Sequence, residues 1–128
     1  YRLEMGTALP NARGRNLYAF WGERITERLN DDLATQGDQV LVNLASNEYF
    51  KAVKPGLLQG RIITPIFKEL RDGKYRIISF SAKRARGQLA AAIIRQRMQD
   101  PEQLKTFAED GYQYNPDLST DSELVFSR

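Results

Sequence analysis

Three cations, Lys83, Arg84 and Arg86, fall within four positions of the stretch SAKRARGQLA (81–90). They follow an apolar run, IISF (77–80), and precede a segment that reads as a helix from about Lys83 to Met98. A helix start carries partial positive charge and favours acids. A basic cluster there therefore calls for an anion, held together with the free N–H groups of the first turn. On a helix turning about 100° per residue, Arg84, Gln88 and Arg95 form an outer polar stripe within roughly 40°. Leu89 and Ile93 lie on the far side, and Arg86 falls at roughly 200°, beside Ile93. Placed in the first turn, Arg86 must pair with a carboxylate, snorkel to solvent, or meet an anion near the helix start. Gly87 leaves room for close approach of a backbone or ligand.

A second candidate group lies in NLASNEYFK (43–51). A polar Asn43 ends an apolar run, and a small-residue turn and a helix start follow. Strand ends beside helix starts are common binding positions. Ser46, Glu48, Tyr49 and Lys51 cluster there, with Lys54 just beyond. Capping accounts for Ser46 or Asn47 and for Glu48; it leaves Asn43 and Lys51 unexplained. If these groups converge with Lys83 and Arg86, they form a pocket for a molecule bearing phosphate or carboxylate. Glu48 or Tyr49 would then be its acid or base, given a tuned pKa. Trp21, with Tyr18 and Phe20, offers a stacking surface for bases, but its helical spacing assigns it to core packing.

Composition narrows the chemistry. The chain has no cysteine and no histidine. Thiolate metal sites, thiol catalysis, a Ser-His-Asp triad and the commonest metal ligand are absent from these residues. No metal or cofactor site is expected, and an enzymatic role is not the first reading. No window approaches the ~18 apolar residues of a membrane span, no apolar N-terminal segment resembles a signal peptide, and a cytoplasmic protein is expected. The net charge of +3 hides a segregation: residues 51–97 hold 12 Lys/Arg against two acids, Glu69 and Asp72. Such a stretch suggests an anionic partner, or else a charged surface whose acids come from other segments.

The elements that must position these residues are mixed. Leu17, Trp21, Ile25, Leu29 and Leu33 recur every four residues and predict a helix from Leu17 to about Thr35. QVLVNLA (39–45) reads as a buried strand, and SNEYFKAV (46–53) as a short capped helix stopped by KPG. RIITPIFKEL (61–70) and KYRIISFSA (74–82) read as strands around Asp-Gly, a strong hairpin signal. Pro65 marks the first as an edge or broken strand. DPEQLKTF (100–107) predicts a short helix capped by Asp100 with Pro101 at its first position. GYQYNPD (111–117) and SELVFSR (122–128) read as strands, LEM (3–5) as another and 6–16 as loop. Without strict βαβ alternation the class is α+β, a mixed sheet with several helices.

Several stretches carry a family resemblance: YRLEMG (1–6), LYAFWG (17–22), NLASNEYFKAVKP (43–55), IISFSAKRARG (77–87) and ELVFSR (123–128). Together they resemble the YaaA family of bacterial peroxide-stress-response proteins. Residues 1–128 are similar to the C-terminal half of that family's single domain, and the other half is an expected partner. The resemblance implies a family-specific α/β fold and a protein that lowers free intracellular iron to limit oxidative damage. It also implies binding of duplex or branched DNA through a basic cleft, weakened here because the helix-hairpin-helix-like element would lie upstream of Tyr1. Lys51, Lys54, Lys83 and Arg86 are then the expected lining, extended by Arg84 and Arg95. Such contacts would be non-specific, since phosphates carry no sequence information.

Overall fold

The computed structural model describes residues 5, 8, 15–37 and 40–128. The expected strand over 3–5 and most of the loop over 6–16 lie outside them. Two compact units emerge: one reaches Leu41 and resumes over Ala45–Arg61, and the other comprises Val42–Leu44 and Ile62–Arg128.

In the first unit, α1 (Leu17–Gln36) starts at Asn16, whose side chain accepts from the Ala19 N–H, and ends at Gly37 in the left-handed region. Its buried positions are Gly22, Thr26 and Leu33; Leu33 belongs to the expected apolar stripe, while Gly22 and Thr26 lie one residue round from it. Trp21 is 42% exposed and stacks edge-on against Phe20, so its expected core role is not met. The reason lies in what α1 touches. The Thr26 hydroxyl donates to the Val53 carbonyl. Asn30 accepts from the Gln59 N–H at 2.8 Å and donates to the Leu57 carbonyl at 3.0 Å. A Cβ on Gly22 would lie 3.1 Å from the Ala52 carbonyl oxygen. The face is selected for small and polar groups that serve loop backbone. The short α2 (Asn47–Phe50) continues into the 3-10 turns Lys51–Val53 and Pro55–Leu57.

The sheet uses β1 (Val40–Val42), β2 (Arg61–Arg71), β3 (Lys74–Arg76), β4 (Gln113–Tyr114) and β5 (Glu123–Ser127), in the order β1-β2-β5-β4 with β3 paired to β2. β2 and β5 are parallel, while β2–β3 and β4–β5 are antiparallel. The class is α+β, as the sequence predicts. Asp72 and Gly73 both take positive φ, 51° and 76°, which a two-residue primed hairpin loop requires.

Two expectations fail. Pro65 does not break or edge β2, which runs through it with Pro65 opposite Leu124 of β5. The Thr64 N–H donates to Ser122 on the β5 side, and the Ile63 carbonyl accepts from Asn43 on the other. Alternation turns the Pro65 nitrogen toward the short β1, so no β2–β5 hydrogen bond is lost. Nor is 74–82 one strand: β3 ends at Arg76 and α3 spans Ser79–Gln96. Lys83, Arg84 and Arg86 therefore lie one turn and more inside the helix. The free first-turn N–H groups invoked for an Arg86-bound anion are not at Arg86.

β2 buries Ile63, Pro65, Phe67 and Glu69, every second residue. The Phe67 ring lies 5.2 Å from both Tyr112 and Phe126 and 5.8 Å from Phe107, a cluster whose geometry adds to its area burial. α3 buries Ala82, Ala85, Leu89 and Ala92, three alanines and a leucine at helical spacing. The expected helix at 100–107 is a 3-10 segment, Pro101–Thr106, with the expected Asp100 cap completed by Gln103.

Candidate functional site

The alternation that buries Phe67 also buries Glu69, one of two acids in the basic stretch. Its carboxylate is 4% exposed, and burial of an unpaired charge would be prohibitive. Every oxygen is engaged. Oε1 accepts from the Tyr112 hydroxyl at 3.0 Å and from Arg128 Nη2 and Nε at 2.6 and 3.1 Å. Oε2 accepts from Arg71 Nη2 and Nε at 2.6 and 3.2 Å. The Arg71 guanidinium, against the opposing push of burial and joined by Arg128 and Tyr112, lowers the Glu69 pKa to about 2. Burial, then the Glu69 hydrogen bond, pushes the Tyr112 phenol up. Glu69 also pushes Arg128 up. Arg128 is further fixed by the Asp110 carbonyl at 2.6 Å and by the Tyr112 ring, 4.4 Å away.

Two guanidinium groups on one carboxylate leave a positive excess at the carboxyl ends of the parallel strands β2 and β5, a common ligand position. Beside it lies an open cavity of about 280 Å³ lined by Phe80, Ser81, Arg84, Asp110, Tyr112 and Arg128. Its walls carry two cations and the Asp110 carboxylate, which Arg84 and Gln88 approach at 3.4 and 3.0 Å.

The expected site residues fall as follows. In the second unit Lys83 is exposed and Arg86 half-buried, and neither side chain pairs with an acid among the described residues. Arg84 and Arg95 lie on the outer face, 3.4 Å from Asp110 and 3.7 Å from Glu109. Of these four cations, only Arg84 lines the cavity. Asn43 is buried; its N–H donates to the Ile63 carbonyl and its side-chain amide to the Thr64 hydroxyl at 3.4 Å. In the first unit Ser46 precedes α2 without a side-chain capping bond, and Glu48 lies in the first turn. The Glu48 carbonyl accepts from the Tyr18 hydroxyl at 2.9 Å. Tyr49 and Lys51 are exposed, and Lys54 meets Glu23 at 3.4 Å. Sequence reasoning missed Glu69, Arg71, Tyr112 and Arg128. The phase of RIITPIFKEL carried a signal, because it sets a carboxylate in register with Ile63 and Phe67.

A family model described as peroxide stress protein YaaA matches residues 1–118. The chain belongs to the YaaA family. A curated relative from Saccharophagus degradans, called a UPF0246 protein, is 59% identical over all 128 residues. This chain covers 50% of that YaaA-family relative's length. No helix among the described residues is long and apolar enough to cross a membrane.

Proposed function

We propose that the YaaA-family protein containing this chain binds DNA without sequence preference during peroxide stress, using the cations of residues 51–97 against backbone phosphates. Its protective role would include lowering free intracellular iron, the action that the family resemblance implies. One observation carries the DNA reading. Twelve cations face two acids in this stretch, and Glu69 is already saturated by Arg71 and Arg128. Lys51, Lys83 and Arg86 have side chains without an acidic partner among the described residues. The pairs of Lys54, Arg84 and Arg95 are exposed, at 3.4 to 3.7 Å, and such pairs exchange readily for phosphate.

Fluorescence anisotropy with duplex DNA over a salt series tests this, using a family-length protein and its Arg86→Ala variant. The expected result is steep salt dependence, with the slope of log K against log salt reduced by about 1 in the variant. Salt-independent binding, or a variant equal to the parent, would sink the reading. The cavity beside Arg84 and Arg128 supports a second reading, a binder of a small phosphate- or carboxylate-bearing molecule. Saturable binding of such an anion, with DNA affinity unchanged by Arg86→Ala, would favour it.

A further inference from the structure

The β2–β3 hairpin has two unlike faces. Arg71, Lys74 and Arg76 share the face of Glu69, while Leu70 and Tyr75, direct cross-strand partners, share the opposite one. Every residue from 70 to 77 is exposed. Leu70 is 52% exposed, Tyr75 42% and Ile77 51%, and Phe80, on the first turn of α3, reaches 79%. Four large apolar side chains thus stand open within eleven residues. A two-stranded hairpin covered on neither face is marginal in water, and β3 pairs with β2 alone among the described strands, leaving an open edge. Leu70 and Tyr75 stand on one face of the hairpin, while Phe80 lines the cavity with Tyr112 and Arg128; exposed large apolar side chains gathered in so short a stretch mark an interaction surface.

The length of the relative identifies the occupant. This chain accounts for half of a protein to which it is 59% identical. We propose that Leu70, Tyr75, Ile77 and Phe80 form the seat on which the other half of a family-length chain packs. The hairpin's apolar face and the Phe80 ring become interior there, while Arg71, Lys74 and Arg76 remain on the opposite, cationic face. The surface is intramolecular, and it stands independently of any DNA contact.

Thiol accessibility in a family-length protein tests this directly, since residues 1–128 contain no cysteine. Single reporters Phe80→Cys and Tyr75→Cys, with any cysteine elsewhere replaced by serine, are compared with Gln99→Cys, at an exposed position. Each maleimide rate is referred to the same variant unfolded in urea. Positions 80 and 75 should both react at least about tenfold more slowly than 99, as burial behind packed structure requires, and dilution should leave those rates unchanged. A reaction at either position as fast as at 99 overturns the proposal. Slow reaction that becomes fast on dilution also overturns it, assigning the face to a second copy instead.

Discussion

Replacing Glu69 with Gln removes a charge that two arginines and a tyrosine share, while keeping the side chain's volume. The native pKa is about 2 against an ordinary 4.5. At about 1.36 kcal/mol per unit, that gap sets an upper bound of roughly 3 kcal/mol of stability. Arg71 is 60% exposed, so water screens part of its pairing, and about 2 kcal/mol is the expected figure. Because folding lowers this pKa, the stabilisation is complete above the unfolded value. It fades as pH falls from 4.5 through about 2. Urea denaturation of parent and Glu69→Gln at pH 7 and pH 3 reads both quantities. The variant should be less stable by about 2 kcal/mol at pH 7, and the gap should shrink to about half at pH 3, where the unfolded parent is largely protonated. A gap that is the same at both pH values, or below about 0.5 kcal/mol at pH 7, would refute the assignment of the charge as the stabilising element.

Two further substitutions probe the helix surroundings. Gly22→Ala gains helix propensity but drives a methyl to 3.1 Å from the Ala52 carbonyl oxygen, a backbone atom that cannot rotate away; a net loss of about 1 kcal/mol is expected in denaturant titration. Asp100→Ala removes the bond to the Glu102 N–H at 2.9 Å and half of a reciprocal cap, with an expected cost of about 1 kcal/mol in the same measurement.

Local signals told most about the fold. Asp72-Gly73 announced the hairpin, Asp100-Pro101 the capped turn, and the four-residue recurrence from Leu17 the long helix. What misled was context. Ile77 and Ile78 favour strand, yet Ile78 is already the residue before a helix, so the basic cluster lies past the first turn that strand propensity gives it. Trp21 fitted an apolar stripe, but the neighbouring backbone requires the small face of Gly22 and Thr26. Pro65 looked like a strand breaker only while the side its nitrogen faces was unknown. The Glu69 cluster was half legible: a carboxylate in the buried phase of a strand is visible, but its partners Tyr112 and Arg128 lie 43 and 59 positions away. Nothing local links them.

The position of β5 bears on how the chain is made. This strand lies between β2 and β4, pairing in parallel with a segment that emerges from the ribosome some 59 residues earlier. A nascent chain extended only through α3 holds β2 without its parallel neighbour, leaves Phe67 without its Phe126 stacking partner, and leaves Glu69 without Arg128. Loop closure over that separation must precede any reward from the pairing. During synthesis the second unit thus waits, with β2 open to chaperones and proteases, until residues 123–128 arrive to close the middle of the sheet.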